Sequence, residues 1–321
     1  MFMTQYDVFN GDADGLCALQ QLRLAQPRDG VLITGVKRDI KLLDKLEVQK
    51  DDQITVLDIS LDKNRDALQR LLGQGAQIQY FDHHFAGDIP QHAALEVHID
   101  TSPSICTSLL VNRYLQNRYS AWAITGAYGD NMYASADLLA RQIGLGMEGS
   151  EALKELGICL NYNGYGSTLE DLYFTPDELY QRLRPYVSPL DFIAHDNAFV
   201  TLKNGYAEDM AQGRMSKAAI ETDQHALILL PDAPWARRVS GVLANEMARN
   251  APDRAHALVN TMADGSLRVS VRAPLNRRTG AEVLCMAFPT GGGRQAAAGI
   301  NHLPPDQYDV FVEKFTHAFT G

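Results

Sequence analysis

Closely spaced cysteines, long apolar runs and tracts of biased composition are all missing from this sequence. Its 321 residues include four scattered cysteines, Cys17, Cys106, Cys159 and Cys285. This spacing argues against a Cys-based zinc site, and unpaired cysteines suit a reducing compartment. No apolar run approaches the length of a membrane span, and the first residues lack the basic and apolar regions of a secretory signal. We therefore expect a cytoplasmic protein with no membrane partner.

The charge distribution and the order of predicted elements indicate two domains. Residues 1–213 carry 17 Lys+Arg against 29 Asp+Glu, a net charge of −12, whereas residues 214–321 carry 12 against 10, a net of +2. Alternating strand-like and helix-like runs predict a doubly wound parallel sheet, followed by a smaller α/β domain. We predict an α/β protein with an N-terminal domain at 1–190, a linker without sustained periodicity at 191–221 and a C-terminal domain at 222–321.

The tripeptide Asp82-His83-His84 is the most informative motif. It follows the apolar run 78–81, which reads as a buried strand. Ligands and catalytic groups in open α/β sheets gather outside the carboxyl ends of the strands, so this position suits a metal site. A histidine pair in a turn is equally often solvated surface, and the motif alone leaves both interpretations open.

Acidic residues at the ends of other runs favour the metal interpretation. Asp12 and Asp14 follow the strand-like run 6–10, Asp58 follows 54–57, and Asp130 follows the strand-like run 123–129. The alternative for the first pair is a helix N-cap, which suits Asp14 better than Asp12. Together with His83 these carboxylates form a mixed oxygen and nitrogen set, which suits Mn²⁺, with Mg²⁺, Fe²⁺ or Co²⁺ as alternatives.

Five motifs in this order resemble the DHH phosphoesterases. They are Asn-Gly-Asp-Ala-Asp-Gly (residues 10–15), the strand-terminal Asp58, Asp82-His83-His84, Thr-Gly-x-x-x-Asp (125–130) and Gly-Gly-Gly-Arg-Gln-Ala-Ala-Ala-Gly (291–299). The last is similar to the signature of the DHH-associated C-terminal domain. The motifs span nearly the whole chain.

The resemblance implies roles for particular residues. One metal site would consist of Asp12, Asp58, His83 and Asp130. His84 would face the substrate phosphate as a catalytic group, and Asp82 would fix the local geometry. The family usually has Asp in place of Asn10 and commonly His in place of Tyr6, so we expect one tight metal site and a second that is weak or absent. Asn10 and Asp14 remain candidate ligands of that second site.

The C-terminal motif implies substrate binding. Gly291, Gly292 and Gly293 would form a loop that meets the nucleotide, and a helix starting at residues 295–298 would offer backbone N–H groups to an anion. Arg294 replaces the signature histidine, but a guanidinium can still grip phosphate. Arg272, at the end of a predicted strand, would reach a substrate phosphate. The alternatives are a flexible glycine loop and a surface arginine.

The resemblance implies an oligoribonuclease-like or pGpG hydrolase-like enzyme. We expect a metal-dependent phosphodiesterase that cleaves short oligonucleotides, in particular linear 5′-phosphorylated dinucleotides such as pGpG, to mononucleotides. A net charge of −10 argues against duplex nucleic acid or a long single strand, which need a positive groove. A single-strand exonuclease, a hydrolase of small phosphoesters (pAp or pyrophosphate) and a non-catalytic nucleotide sensor are alternatives. A homodimer is possible.

Overall fold

The computed structural model describes residues 3–320 and divides into two compact units. The first unit ends at Asn204 and the second begins at Gly205. This break falls inside the segment predicted as a linker. The segment is nevertheless regular, because it contains helices α8 (Pro189–His195) and α9 (Asn197–Met215). The lack of a sustained period in this segment therefore did not reflect a lack of regular structure, and the domain bounds stay a prediction.

A five-stranded parallel sheet forms the centre of the first unit. Its strands are β1 (Gln5–Phe9), β2 (Val31–Ile33), β3 (Gln53–Leu57), β4 (Gln77–Asp82) and β5 (Leu95–Ile99). Their spatial order is β2-β1-β3-β4-β5, with every neighbouring pair parallel. The order reverses at β1 and β3, and in such sheets the crevice at a reversal point is where ligands bind.

Helices cover both faces of this sheet, which confirms the predicted doubly wound α/β architecture. They are α1 (Ala13–Ala25), α2 (Arg65–Gly73), α3 (Thr107–Tyr114), α4 (Ser120–Gly129), α5 (Tyr133–Gln142), α6 (Met147–Asn163) and α7 (Pro176–Leu183), together with α8 and the first part of α9. Successive strand residues face opposite sides. Phe9 therefore packs into a core with α1, whereas the preceding Val8 joins a separate core with α2.

One element of the first unit differs from its predicted type. Residues 123–129, expected to be strand-like, belong to helix α4 and are all buried. Neighbouring helices surround this segment, so its sequence has no polar face and no helical alternation of polar and apolar residues. A short apolar run of this kind does not distinguish a strand from a helix. Asp130 still follows the element directly, as its C-cap.

A buried ion pair ties α1 to the sheet. The Arg23 guanidinium donates to both oxygens of Asp7 (2.9 and 2.5 Å) and to Oγ1 of Thr55 (3.0 Å). Both charged side chains are 3 % exposed. Removing one partner from such a pair leaves an uncompensated buried charge, which costs about 3–5 kcal/mol.

The second unit is a mixed sheet with three helices of its own. Its strands are β6 (Ala218–Glu221), β7 (His225–Leu230), β8 (Ala255–Thr261), β9 (Leu267–Arg272), β10 (Gly291–Arg294) and β11 (Ala297–Leu303), in the order β10-β11-β9-β8-β7-β6. Only β7 and β8 pair in parallel. The helices are α10 (Pro234–Asn250), α11 (Ala281–Met286) and α12 (Tyr308–Ala318).

The end of the glycine motif is extended rather than helical. Residues 291–294 and 297–303 form an antiparallel hairpin in which Gly293 pairs with Ala298. The predicted helix at residues 295–298, and with it the helix N-terminus as an anion site, is therefore wrong. The small side chains of residues 296–298 serve the close pairing of strands instead, since a Cβ on Gly293 would lie 2.5 Å from the Cα of Ala298.

Within residues 3–320, no helix combines the length and apolar character needed to cross a bilayer.

Candidate metal centre

Asp12 lies in the short connection between β1 and α1. It is the N-cap of α1, and its Oδ1 accepts hydrogen bonds from the backbone N–H groups two and three residues further on (3.0 and 3.1 Å). The turn packs closely, because a Cβ on Gly11 would lie 2.1 Å from the carbonyl oxygen of Gly35. The sequence had favoured Asp14 as the cap, and the structure gives this role to Asp12.

Asp14 reaches from the first turn of α1 to the start of α3. Its Oδ2 accepts the backbone N–H of Thr107 (2.7 Å), and its Oδ1 accepts that of Ser108 (2.8 Å). These bonds satisfy two N–H groups that a helix start leaves unpaired. Each carboxylate oxygen keeps a second lone pair for an ion. The carboxylate is fully buried and belongs to a group of potential ligands with His83 and Asp130.

Asp58 follows the last residue of β3 and adopts a left-handed backbone conformation, with φ of 60°. Aspartate is among the few non-glycine residues that tolerate this region. Its Oδ1 accepts a hydrogen bond from Oγ1 of Thr107 (3.1 Å) and lies 3.5 Å from Nε2 of His83. The turn thus directs the carboxylate toward the residues that follow β4.

The backbone fixes the orientation of the His83 ring. Its Nδ1–H donates to the carbonyl oxygen of Ile105 (3.1 Å), since a carbonyl can only accept. Nε2 then faces Asp58, and it also lies 3.8 Å from Oδ2 of Asp130. A backbone carbonyl on the other ring nitrogen is the usual support of a metal-binding histidine. The sequence did not indicate this partner, because a carbonyl can come from any residue type.

Two overlapping groups of potential ligands together contain three carboxylates and two imidazoles. Ligand atoms of Asp14, His83 and Asp130 all lie within 4.8 Å of one another, and so do those of Asp58, His83 and His84. Oxygen and imidazole donors of this kind suit Mn²⁺ and related divalent ions. The residues therefore fit a divalent cation, with His83 common to both groups.

Burial and mutual repulsion perturb the acids of this cluster. Burial and the charges of Asp12 and Asp14 raise the pKa of Asp58 well above its ordinary range. Burial raises the pKa of Asp130 to about 6, although Lys37 opposes the shift. The cluster therefore carries more negative charge than its surroundings stabilise, which is the condition that favours a cation.

The pKa of His83 is raised as well, which for a histidine favours the charged form. Burial alone would lower its pKa, but the hydrogen bond to Asp58 and the charges of Asp14, Asp58 and Asp130 outweigh it and raise the pKa to about 10. A proton on Nε2 and a metal ion compete for the same lone pair. The site thus holds a positive charge at Nε2 in either state.

Lys37 is a functional candidate that the sequence analysis missed. Its Nζ lies 2.5 Å from Oδ2 of Asp12, 3.0 Å from Oδ1 of Asn161 and 3.7 Å from Oδ1 of Asp130. Burial alone would lower the pKa of the ammonium group, but Asp12, Tyr165 and Asp130 raise it well above the ordinary lysine value. Lys37 is therefore a permanent cation beside the donor set.

Asp82 and His84 form a second carboxylate–imidazole pair at the edge of the cluster. Asp82 is fully buried, and its Oδ1 accepts the Nδ1–H of His84 at 2.7 Å. The His84 side chain is 44 % exposed. Because Nδ1 is engaged by Asp82, the geometry favours Nε2 as the nitrogen that can meet a substrate.

The predicted substrate-binding residues lie in the second unit, and the sheet brings two of them into one row. Arg272 of β9 pairs with Ala297 of β11, which in turn pairs with Arg294 of β10. Directly opposed residues in antiparallel strands point to the same face. The exposed Arg294 and the partly buried Arg272 therefore share a face, and Nε of Arg272 donates to Oδ1 of Asn245 on α10 (2.7 Å).

The three glycines differ in their surroundings. A Cβ on Gly291 would lie 1.7 Å from the carbonyl oxygen of Cys285, so this position is restricted to glycine. Gly293 has a φ of 146°, which side chains rarely adopt, whereas Gly292 has open space around it. The loop is thus a fixed hairpin edge rather than the flexible segment that glycine composition alone suggests.

Several solved structures that resemble this chain contain a DHH domain. A RecJ exonuclease bound to manganese is 16 % identical over 99 % of this chain and 90 % of that chain, with a TM-score of 0.67. The DHH domain of a member of the S1p family of ribosomal proteins is 14 % identical over 98 % and 86 %, with a TM-score of 0.67. PggH from Vibrio cholerae, a pGpG-specific phosphodiesterase, is 14 % identical over 98 % of each chain, with a TM-score of 0.57. This chain has the DHH fold.

No family model matches the sequence, and no curated protein matches it. The likeness therefore rests on three-dimensional structure, which confirms the fold expected from the five motifs. Within the DHH fold, Asp12, Asp58 and His83 follow β1, β3 and β4, three strands that lie side by side. Lys37 follows β2, the strand on the other side of β1.

Proposed function

We propose that this chain is a metal-dependent phosphodiesterase that hydrolyses short oligonucleotides, with linear 5′-phosphorylated dinucleotides such as pGpG as preferred substrates. The observation that carries the proposal is the convergence of Asp14, Asp58, His83 and Asp130 beside the Asp82–His84 pair. The DHH fold, which it shares with an exonuclease and a pGpG-specific phosphodiesterase, supports this class of reaction.

Asp58, His83 and Asp130 would hold the ion, and Asp14 or Asp12 would complete its ligands. A bound divalent ion lowers the pKa of a water molecule and balances the negative charge of the phosphoryl oxygens. Mn²⁺ is the ion that this oxygen and nitrogen set favours, with Mg²⁺ and Co²⁺ as alternatives. The carbonyl of Ile105 accepts the Nδ1–H of His83 and so directs Nε2 toward the donor set, and Thr107 fixes the orientation of Asp58.

His84 would act on the substrate. The hydrogen bond from its Nδ1–H to the buried Asp82 fixes the orientation of the ring. Its Nε2 would then donate a hydrogen bond to the phosphoryl group or protonate the leaving 3′-oxygen. Positioned general acids of this kind contribute about 10²- to 10⁴-fold to a rate.

The second unit would bind the part of the substrate that does not react. Arg272 and Arg294 share a face of the sheet, and guanidinium groups bind phosphate through two parallel hydrogen bonds. The hairpin edge of Gly291, Gly292 and Gly293 would let a nucleotide approach the backbone. These contacts would orient the scissile bond and would take no part in the chemical step.

Charge favours a short substrate. The chain has a net charge of −10, and its cationic excess is confined to residues 214–321, whereas proteins that follow long single strands use extended positive grooves with stacked aromatics. Two nucleotides carry few enough phosphates for a small set of arginines. A single-strand exonuclease and a hydrolase of small phosphoesters are the enzymatic alternatives.

A non-catalytic nucleotide sensor is a second candidate function. The observation that favours it is the ion pair between Lys37 and Asp12 at 2.5 Å, which engages one oxygen of a predicted metal ligand. The retained donor set and the Asp82–His84 pair favour the enzyme, since binding alone does not require them.

A substrate panel tests the proposal. Hydrolysis of pGpG, a five-nucleotide RNA, a long single-stranded DNA and pAp would be followed with Mn²⁺ by chromatography of the products. We expect pGpG to be converted fastest, to mononucleotides. Faster cleavage of the long strand would refute the dinucleotide preference, and tight pGpG binding without turnover would establish the sensor instead.

A further inference from the structure

The ammonium group of Lys37 sits in a site built to hold a cation. Asp12 and Asn161 provide oxygens at 2.5 and 3.0 Å, and Asp130 provides one at 3.7 Å. The ring of Tyr165 lies 5.5 Å from Nζ, within the range of a cation–π contact. The Asn161 amide is itself oriented, since its Nδ2 donates to the Tyr165 hydroxyl at 3.0 Å.

The backbone of Lys37 is fixed on both sides. Its N–H donates to the carbonyl oxygen of Gly164 (2.8 Å), and its own carbonyl accepts a hydrogen bond from Nδ2 of Asn10 (3.3 Å). An ionised aspartate at position 10 could not make the second bond, because a carboxylate has no hydrogen to donate. An aspartate there would place negative charge against a carbonyl oxygen. Asn10 and Lys37 therefore form a matched pair.

The charges of this region limit how many divalent ions it can take. Asp12, Asp14, Asp58 and Asp130 contribute four negative charges, and Lys37 contributes one positive charge. With His83 neutral the net is −3, so that one divalent ion leaves −1 and a second would leave +1. An aspartate at position 10 and no lysine would give −5. Asn10 and Lys37 together therefore make the centre less negative by two charges, which is the amount that one divalent ion would neutralise.

We propose that Lys37, held in place by Asn10, supplies the second positive charge of this centre, so that the site binds one divalent ion instead of two. Lys37 neutralises Asp12, and it is a positioning residue for Asp12 and Asp130. This inference rests on the proposed function only in assuming that the donor set binds a divalent ion.

The ion count of the full chain tests the proposal without any substrate. Metal-free protein would be dialysed against Mn²⁺ and its bound metal counted by mass spectrometry, and electron paramagnetic resonance would distinguish an isolated Mn²⁺ from an exchange-coupled pair. We expect one tightly bound, isolated Mn²⁺ per wild-type chain. Two tightly bound ions, or a coupled signal, would overturn the proposal on the wild-type protein alone.

Variants identify the cause of the single occupancy. In Asn10→Asp/Lys37→Met we expect a second ion and a coupled signal, with the affinity of that second site raised about a hundredfold. Lys37→Arg, which keeps the charge, and Lys203→Met, which removes an exposed lysine paired with Glu155, should both retain one ion. A single ion in a folded double variant would overturn the role of Lys37.

The two proposals fail in different ways. One bound Mn²⁺ without hydrolysis of any phosphoester would reject the enzymatic function and leave the assignment of Lys37 intact. Hydrolysis with two bound ions would retain the function and reject this assignment. A wild-type chain that binds no Mn²⁺ would reject both.

Discussion

Replacing Asp82 by asparagine isolates the role of the Asp82–His84 pair. Asparagine keeps the size of the side chain but removes the charge that accepts the Nδ1–H of His84 at 2.7 Å. Asp82 is fully buried, and its Oδ2 has no hydrogen-bond partner among the described residues, so the charge acts chiefly through Oδ1. A hydrogen bond to a charged group contributes about 1.5–3 kcal/mol. We therefore expect kcat to fall by about 10- to 150-fold.

The assay is steady-state hydrolysis of pGpG by Asp82→Asn, His84→Gln and the double variant, with Mn²⁺ affinity measured beside each. If Asp82 acts through His84, the double variant should be no slower than His84→Gln alone. Mn²⁺ affinity should change little, because Asp82 is outside the donor set of Asp14, Asp58, His83 and Asp130. Losses of kcat that multiply in the double variant, or loss of the metal in Asp82→Asn, would refute this reasoning.

Three further outcomes follow from the structure. Arg23→Met, which leaves Asp7 charged and unpaired in the core, should lower the free energy of unfolding by about 3–5 kcal/mol in urea titrations, and an unchanged midpoint would contradict the buried pair. Because Mn²⁺ must displace the proton of His83, whose pKa is about 10, the dissociation constant measured by calorimetry should rise about tenfold per unit as pH falls from 9 to 7. It should rise more steeply near pH 6, where Asp130 also takes a proton, and a pH-independent constant would exclude His83 as a ligand. Arg294→Gln should raise KM for pGpG about tenfold or more and leave hydrolysis of bis-p-nitrophenyl phosphate unchanged, whereas equal losses on both would argue against a role in substrate binding.

The positions of the donor residues could be predicted because one topological rule governs them. The residues that follow parallel strands lie at the same sheet edge, and by this rule Asp58 and His83 were expected together, as they are in one group of potential ligands, whereas the predicted ligand Asp12 is in neither group. Asp130 was assigned to this set from the motif, although the element before it is the helix α4 and not a strand. The burial of α4 on all sides removed the periodicity that would have identified it.

The partners of the donor residues could not be predicted in the same way. Lys37 follows the short strand β2 after a three-residue loop, and nothing in its local sequence marks it as a partner of Asp12. Its contact with Asn161 crosses 124 residues of chain. The carbonyl of Ile105 is invisible in sequence, since every residue has one. Contacts of this kind depend on tertiary packing, whereas strand ends depend on local pattern.

The glycine motif shows a different limit. Small residues and a glycine run predicted a loop followed by a helix, and the structure has a hairpin instead. Alanine favours a helix intrinsically, but pairing of residues 297–303 with β9 overrides that preference. Arg272 and Arg294 still lie on one face of the sheet, because the strand register places both of them opposite Ala297.

The measurement that tests the central claim most directly is Mn²⁺ binding and pGpG hydrolysis by metal-free protein in wild type, His83→Ala and His92→Ala. His92 is an exposed histidine of the same unit, so its variant controls for loss of an imidazole. We expect hydrolysis to appear with Mn²⁺ in wild type and His92→Ala, and both binding and hydrolysis to be lost in a folded His83→Ala. Full Mn²⁺-dependent hydrolysis by His83→Ala would contradict the account.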